Sequence, residues 1–120
     1  MALCTVRSRG EILIAGMPGS IDHVAALTLE NELRELMARQ PKTLFCDFSE
    51  TKYVSSSALR ICHATAKKAK ASGIQFGIFG LTPFVDHIFS MAGFTALFSI
   101  YDTEDAAVRA VSHDTSGSSP

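Results

Sequence analysis

The chain has 120 residues, which is enough for one domain and leaves no room for a second hydrophobic core. With 47% hydrophobic residues, 19% charged residues and a formal net charge of -1, it gives no electrostatic ground for nucleic-acid binding. No segment reaches the roughly 20 apolar residues of a membrane span, and the early Arg7 and Arg9 do not fit a signal peptide, so a soluble, cytoplasmic protein is expected.

Residues 3–7 and 11–15 are β-leaning runs divided by Gly10, and they predict an antiparallel pair at the edge of a sheet. Gly16, Pro18 and Gly19 make a loop, and Asp22 is placed to cap a helix that reaches Arg39. Val24, Leu29, Leu33, Leu36 and Met37 lie on or near its apolar side, and Glu30 with Arg34 forms an i,i+4 pair. Pro41 ends the helix. Residues 43–48 read as a strand with Asp47 near its carboxyl end, where ligands and interfaces gather in open α/β sheets. A loop over 49–54 leads to Ser55, Ser56 and Ser57, which open a second helix. Its apolar stripe is Leu59, Cys62, Ala66 and Ala69, with Lys67, Lys68 and Lys70 reaching water and Gly73 as the stop.

Residues 74–79 predict another strand. Thr82 and Pro83 start a third helix whose apolar side is Phe84, Val85, Ile88, Phe89 and Met91, closed by Gly93. A last strand over 97–101 precedes a helix over 104–111 that is capped by Thr103 and opens with Glu104 and Asp105. Residues 112–120 read as a flexible polar tail after a domain over 1–111. The order β-β-α-β-α-β-α-β-α makes this an α/β fold. A mixed, mostly parallel sheet of about five strands with about four helices follows from that alternation.

Few motifs of catalysis are present. There is no G-x-S-x-G turn and neither of the glycine-rich phosphate loops. His23, His63, His87 and His113 fall on separate elements, and Cys62 beside His63 lacks the second pair a metal would need, so no metal and no cofactor are expected. Cys4, Cys46 and Cys62 are widely spaced and odd in number, which reads as reduced thiols. A serine hydrolase using Ser56, a histidine and Asp47 is a remote alternative that no motif proposes. The serine cluster carries a different chemistry. A hydroxyl at a helix amino end after a loop is open to a modifying enzyme, and a phosphate there meets unpaired N–H groups and the positive end of the helix. A partner that had buried the neutral serine would lose several kcal/mol, as a rough scale, on desolvating the dianion. The plainer reading is that these serines only cap the helix.

Several segments, taken in order, resemble the STAS domain of anti-sigma-factor antagonists over nearly the whole chain. They are Gly19-Ser20-Ile21-Asp22 before the first helix, Leu44-Phe45-Cys46-Asp47-Phe48, and Tyr53-Val54-Ser55-Ser56-Ser57-Ala58-Leu59 for the family's D-S-(S/T)-G-L. Gly73 to Phe79, Pro83 to Phe94 and Thr103-Glu104-Asp105-Ala106-Ala107 complete the set. The resemblance implies a regulatory binding module and no enzyme. Such a module binds an anti-sigma factor that is itself a serine kinase of the GHKL type, is released when that kinase phosphorylates it, and is reset by a serine phosphatase. The implied phosphorylation site is Ser56, with Ser57 second. The implied partner-binding set is Gly19, Ser20, Asp22, Ser55, Ser56, Ser57 and Ala58, with ATP and Mg²⁺ belonging to the kinase. Ser55 and Ala58 depart from the family's Asp and Gly. That departure favours an alternative in which the domain is an accessory subunit of a transporter or other complex and is never phosphorylated.

Overall fold

Alternating apolar positions on the strands sort the core onto the two faces of one sheet. The structure, a computed structural model, describes residues 2–93 and 98–117. The elements are β1 (Thr5–Arg9), β2 (Ile12–Gly16), β3 (Ser20–Ile21), α1 (His23–Ala38), β4 (Thr43–Asp47), β5 (Tyr53–Val54), α2 (Ser56–Ala71), β6 (Gln75–Phe79), α3 (Pro83–Met91), β7 (Ser99–Tyr101) and α4 (Glu104–Gly117). The main sheet has five strands in the order β1-β2-β4-β6-β7. The first pair is antiparallel across a turn at Gly10, whose φ of 63° suits glycine, and the other pairs are parallel. Leu13, Ala15, Leu44, Cys46 and Ile78 pack with the helix residues Leu29, Leu33, Leu59 and Phe89. Ile12, Ile14, Phe45 and Phe79 point the other way, onto Ala107 and Val111 of α4. Gly77 is required by this packing, because a Cβ there would come within 2.9 Å of the Phe45 ring.

The first strand begins two residues later than the pattern predicted, because the N–H groups of Leu3 and Cys4 are taken by the Glu32 carboxylate at 2.7 and 2.8 Å. The second sheet was not foreseen. Ser20 pairs with Tyr53 and Ile21 with Val54 in a two-stranded parallel sheet. Two-residue strands carry no readable period, and both segments were expected as loop. The bonds Lys52 N–H to Gly19 C=O, 2.8 Å, and Ser55 N–H to Ile21 C=O, 2.9 Å, extend the pairing at both ends. Thr51, fully buried, donates its hydroxyl to the Pro18 carbonyl at 2.8 Å.

The predicted end of the last helix at Val111 is corrected. Its backbone stays helical to Gly117, since no proline or glycine interrupts it before that position. Residues 118–120 of the expected tail, and Leu97 of the expected last strand, lie outside the described residues. Three residues expected on buried stripes point outward. Val24 lies five positions before Leu29, which turns it about 140° around the helix at about 100° per residue, and Phe84 and Met91 flank the inward Val85 and Phe89 of α3.

Candidate functional site

Pairing of β3 with β5 fastens the segment before α1 to the segment before α2, so the two helices start side by side at the carboxyl ends of the parallel strands. Three consecutive serines there take three different positions. Ser55 has extended backbone, and its Oγ accepts the Ala58 N–H at 3.2 Å, so this serine is the helix cap. Ser56 is the first helical residue and is exposed. Ser57 is half-buried and turns toward α1. Its Oγ lies 2.6 Å from His23 Nδ1, and Arg60 donates to it at 3.4 Å.

Across the seam, Asp22 caps α1 by accepting the Ala25 N–H at 2.8 Å. Asp22, Gly19 and Ser20 are exposed beside β5. Ala58, the remaining residue of the expected partner-binding set, differs from these in its exposure. It is only 1% exposed and belongs to the core, because the third position of the helix faces inward. The methyl that replaces the family's glycine is therefore absorbed by the domain's own packing. The other departure is absorbed as well, since Ser55 caps with a hydroxyl where the family has a carboxylate. No acid stands in the first turn of α2.

The surroundings of the serines are more apolar than the sequence suggested. Val24 is 72% exposed, Leu27 58% and Tyr53 45%. The first two lie on the outward face of α1, and Tyr53 opens the short strand that leads into the serine turn. Phe84 is also exposed, at the start of α3, which Thr82 ties to the same region by donating its hydroxyl to the Thr51 carbonyl at 3.1 Å. Leu27 and His23 were missed by sequence reasoning, and Val24 was assigned to the core. A helical wheel centred on Leu29, Leu33 and Leu36 is the signal that would have turned Val24 and Leu27 outward.

The serine that His23 bonds is Ser57 rather than Ser56, while Asp47 accepts the Ser49 N–H at 2.9 Å and lies 3.6 Å from Arg7. The thiols are poorly suited to nucleophilic work. Burial, with the Glu32 carboxylate second, pushes Cys4 up to about 12, and burial pushes Cys62 up to about 12. Cys46, fully buried, is lifted well above its ordinary value by the same desolvation. Among the described residues, no group of three or more His, Cys, Asp or Glu could hold a metal ion, and no helix is long and apolar enough to cross a membrane.

Comparison with known proteins gives this geometry its context. BtrV of Bordetella bronchiseptica, named as an anti-sigma factor antagonist, is 27% identical over 99 residues, which cover 82% of this chain and 85% of that protein. The anti-sigma-F factor antagonist RsfB of Mycobacterium tuberculosis is 26% identical over 107 residues, covering 89% of this chain and 87% of RsfB. The crystal structure of an anti-sigma factor antagonist from Mycobacterium paratuberculosis superposes with a TM-score of 0.83 at 28% identity, covering 90% of this chain and 92% of that one. The model of the STAS domain matches residues 4–107, and with the five-stranded mixed sheet and the serine turn at its carboxyl end this chain belongs to the STAS domain family.

Proposed function

We propose that this chain is an anti-sigma-factor antagonist that works by binding rather than by catalysis. It binds an anti-sigma factor through the corner where α1 and α2 begin, and phosphorylation of Ser56 ends that binding. The observation that carries the reading is the position of Ser56. It is exposed in the first turn of α2, with no acid of its own beside it and exposed apolar residues on the adjoining elements. The names of BtrV and RsfB support the class of partner.

The physical logic is a difference between two states. While Ser56 is neutral, a partner can cover Val24, Leu27 and Tyr53 and desolvate the hydroxyl at small cost. A phosphate on the same oxygen carries close to two charges and faces the unpaired N–H groups of the helix start, so the free domain tolerates it. The covered partner surface does not, because it would have to strip water from a dianion without supplying a matching charge. The partner is a serine kinase of the GHKL type that holds ATP and Mg²⁺, and a serine phosphatase resets the domain.

The test is to mix the purified chain with the anti-sigma factor of its own cell and follow the complex by size-exclusion chromatography. A complex should form without nucleotide and dissociate with MgATP as one phosphate appears on Ser56. A chain that forms no such complex, or that is phosphorylated and stays bound, contradicts the proposal. A chain that takes no phosphate and is instead found in a transporter assembly would replace it with the accessory-subunit reading.

A further inference from the structure

Two neighbouring hydroxyls, Ser56 and Ser57, differ in what they touch. Ser56 stands open, whereas Ser57 Oγ is the meeting point of side chains from two helices, His23 Nδ1 at 2.6 Å from α1 and Arg60 Nη2 at 3.4 Å from the next turn of α2. We propose that Ser57 is a second phosphoacceptor of this domain, with a built-in cradle of His23 and Arg60 that turns its phosphate inward across the α1–α2 seam. The inference rests on the reading above, in which a kinase visits this corner.

The contacts fit each stage of such a transfer. With Nδ1 of His23 unprotonated, Ser57 donates its hydroxyl hydrogen to that nitrogen, so a proton acceptor is already on the attacking oxygen. When Oγ attacks the γ-phosphorus of ATP held by the kinase, a new O–P bond forms. The bond from that phosphorus to the β,γ-bridging oxygen breaks, ADP leaves with the electron pair, and the serine proton passes to His23. The phosphoserine can no longer donate a hydrogen bond from Oγ. The protonated imidazole and the Arg60 guanidinium both can, and the anionic phosphate oxygens give each of these cations a charged acceptor in place of the neutral hydroxyl. The acid beside this cluster, Asp22, is occupied in part by the Ala25 N–H.

The two modifications then have different readouts. A phosphate on Ser56 projects at the partner and repels it. A phosphate on Ser57 is neutralised within the domain and staples the starts of α1 and α2 together, which would raise the melting temperature.

The experiment encodes phosphoserine at position 57 or at position 56 and follows each phosphate by ³¹P NMR against pH. The phosphate at 57 should complete its ionisation about one pH unit lower than the one at 56, because two cations face it. That difference should close in the His23→Gln, Arg60→Gln double variant, whose fold is checked by its melting curve. Equal titration of the two phosphates, or a difference that survives the double variant, overturns the cradle. In a second arm, the Ser56→Ala chain is given MgATP and the kinase that phosphorylates the unaltered chain. Phosphate on Ser57 is expected, slowed at least about tenfold by His23→Gln; none on Ser57 overturns the acceptor role. An unaltered chain that takes no phosphate from its partner sinks the proposed function instead, and the NMR comparison still decides the cradle.

Discussion

Helices α2 and α4 begin alike and then differ in one respect. Both are capped by a hydroxyl, Ser55 accepting from the Ala58 N–H and Thr103 from the Ala106 N–H at 3.1 Å. In α4 the first turn carries Glu104 and Asp105, and those carboxylates are met by the first strand. Arg7 bonds Glu104, and Arg9 donates to Glu104 at 2.9 Å and to Asp105 at 3.2 Å. The positive end of α4 is thus matched by the chain's own negative charge, and that charge by its own arginines. The first turn of α2 has no acid and opens with two serines. One helix start is electrostatically finished, and the other is left with a favourable place for a charge still to be added. On the proposed function, the difference separates a helix start that fixes the fold from one that phosphorylation switches.

The largest expected effect concerns the core that both ends share, and it sets the baseline for the comparison. The folded-state values of the buried thiols lie above the unfolded one. Their contribution to stability is therefore complete below pH 9.0 and is lost as the pH rises toward about 12. Each buried thiol should withdraw about 1.4 kcal/mol per pH unit in that window. Melting curves of the chain and of Cys62→Ala across the window check this, with a shallower alkaline loss in the variant. An identical loss in both would show that the thiols stay out of it.

Next in size are the caps, which should cost the same at either end. Ser55→Ala and Thr103→Ala should each lower stability by about 1 kcal/mol in denaturant titration. A much larger loss at Ser55 would mean that the serine turn holds the domain together, and the comparison would fail there. The smallest effect is at the finished end. Removing Arg9 should lower stability only slightly, and the loss should fade in high salt, since the pairs to Glu104 and Asp105 are solvent-exposed. A salt-independent loss would show that the network acts through packing.

Much of the architecture could be read from residue spacing, because long periodic segments and caps signal themselves locally. Asp22, Thr82 and Thr103 all cap the helices they were assigned to, and the alternation of β4 places Leu44 and Cys46 on one face and Phe45 on the other. The neighbourhood of the site was harder to read, because it is built by long-range contacts. The β3–β5 pair joins residues more than thirty positions apart through two-residue strands. The bond between His23 and Ser57 depends on that pairing, which brings a histidine and a serine from separate elements together. Val24, Phe84 and Met91 show a further reason. Residue type alone marks them as core, whereas their angular positions on the helices turn them to the surface.

The most direct measurement is a calorimetric titration of the anti-sigma factor with the chain carrying encoded phosphoserine at position 56 and with the unmodified chain. The account predicts that the phosphate weakens binding about a hundredfold or more, close to 3 kcal/mol, while the melting temperature of the free domain does not fall. Equal affinity for the two forms, or a phosphorylated domain that unfolds, would contradict it.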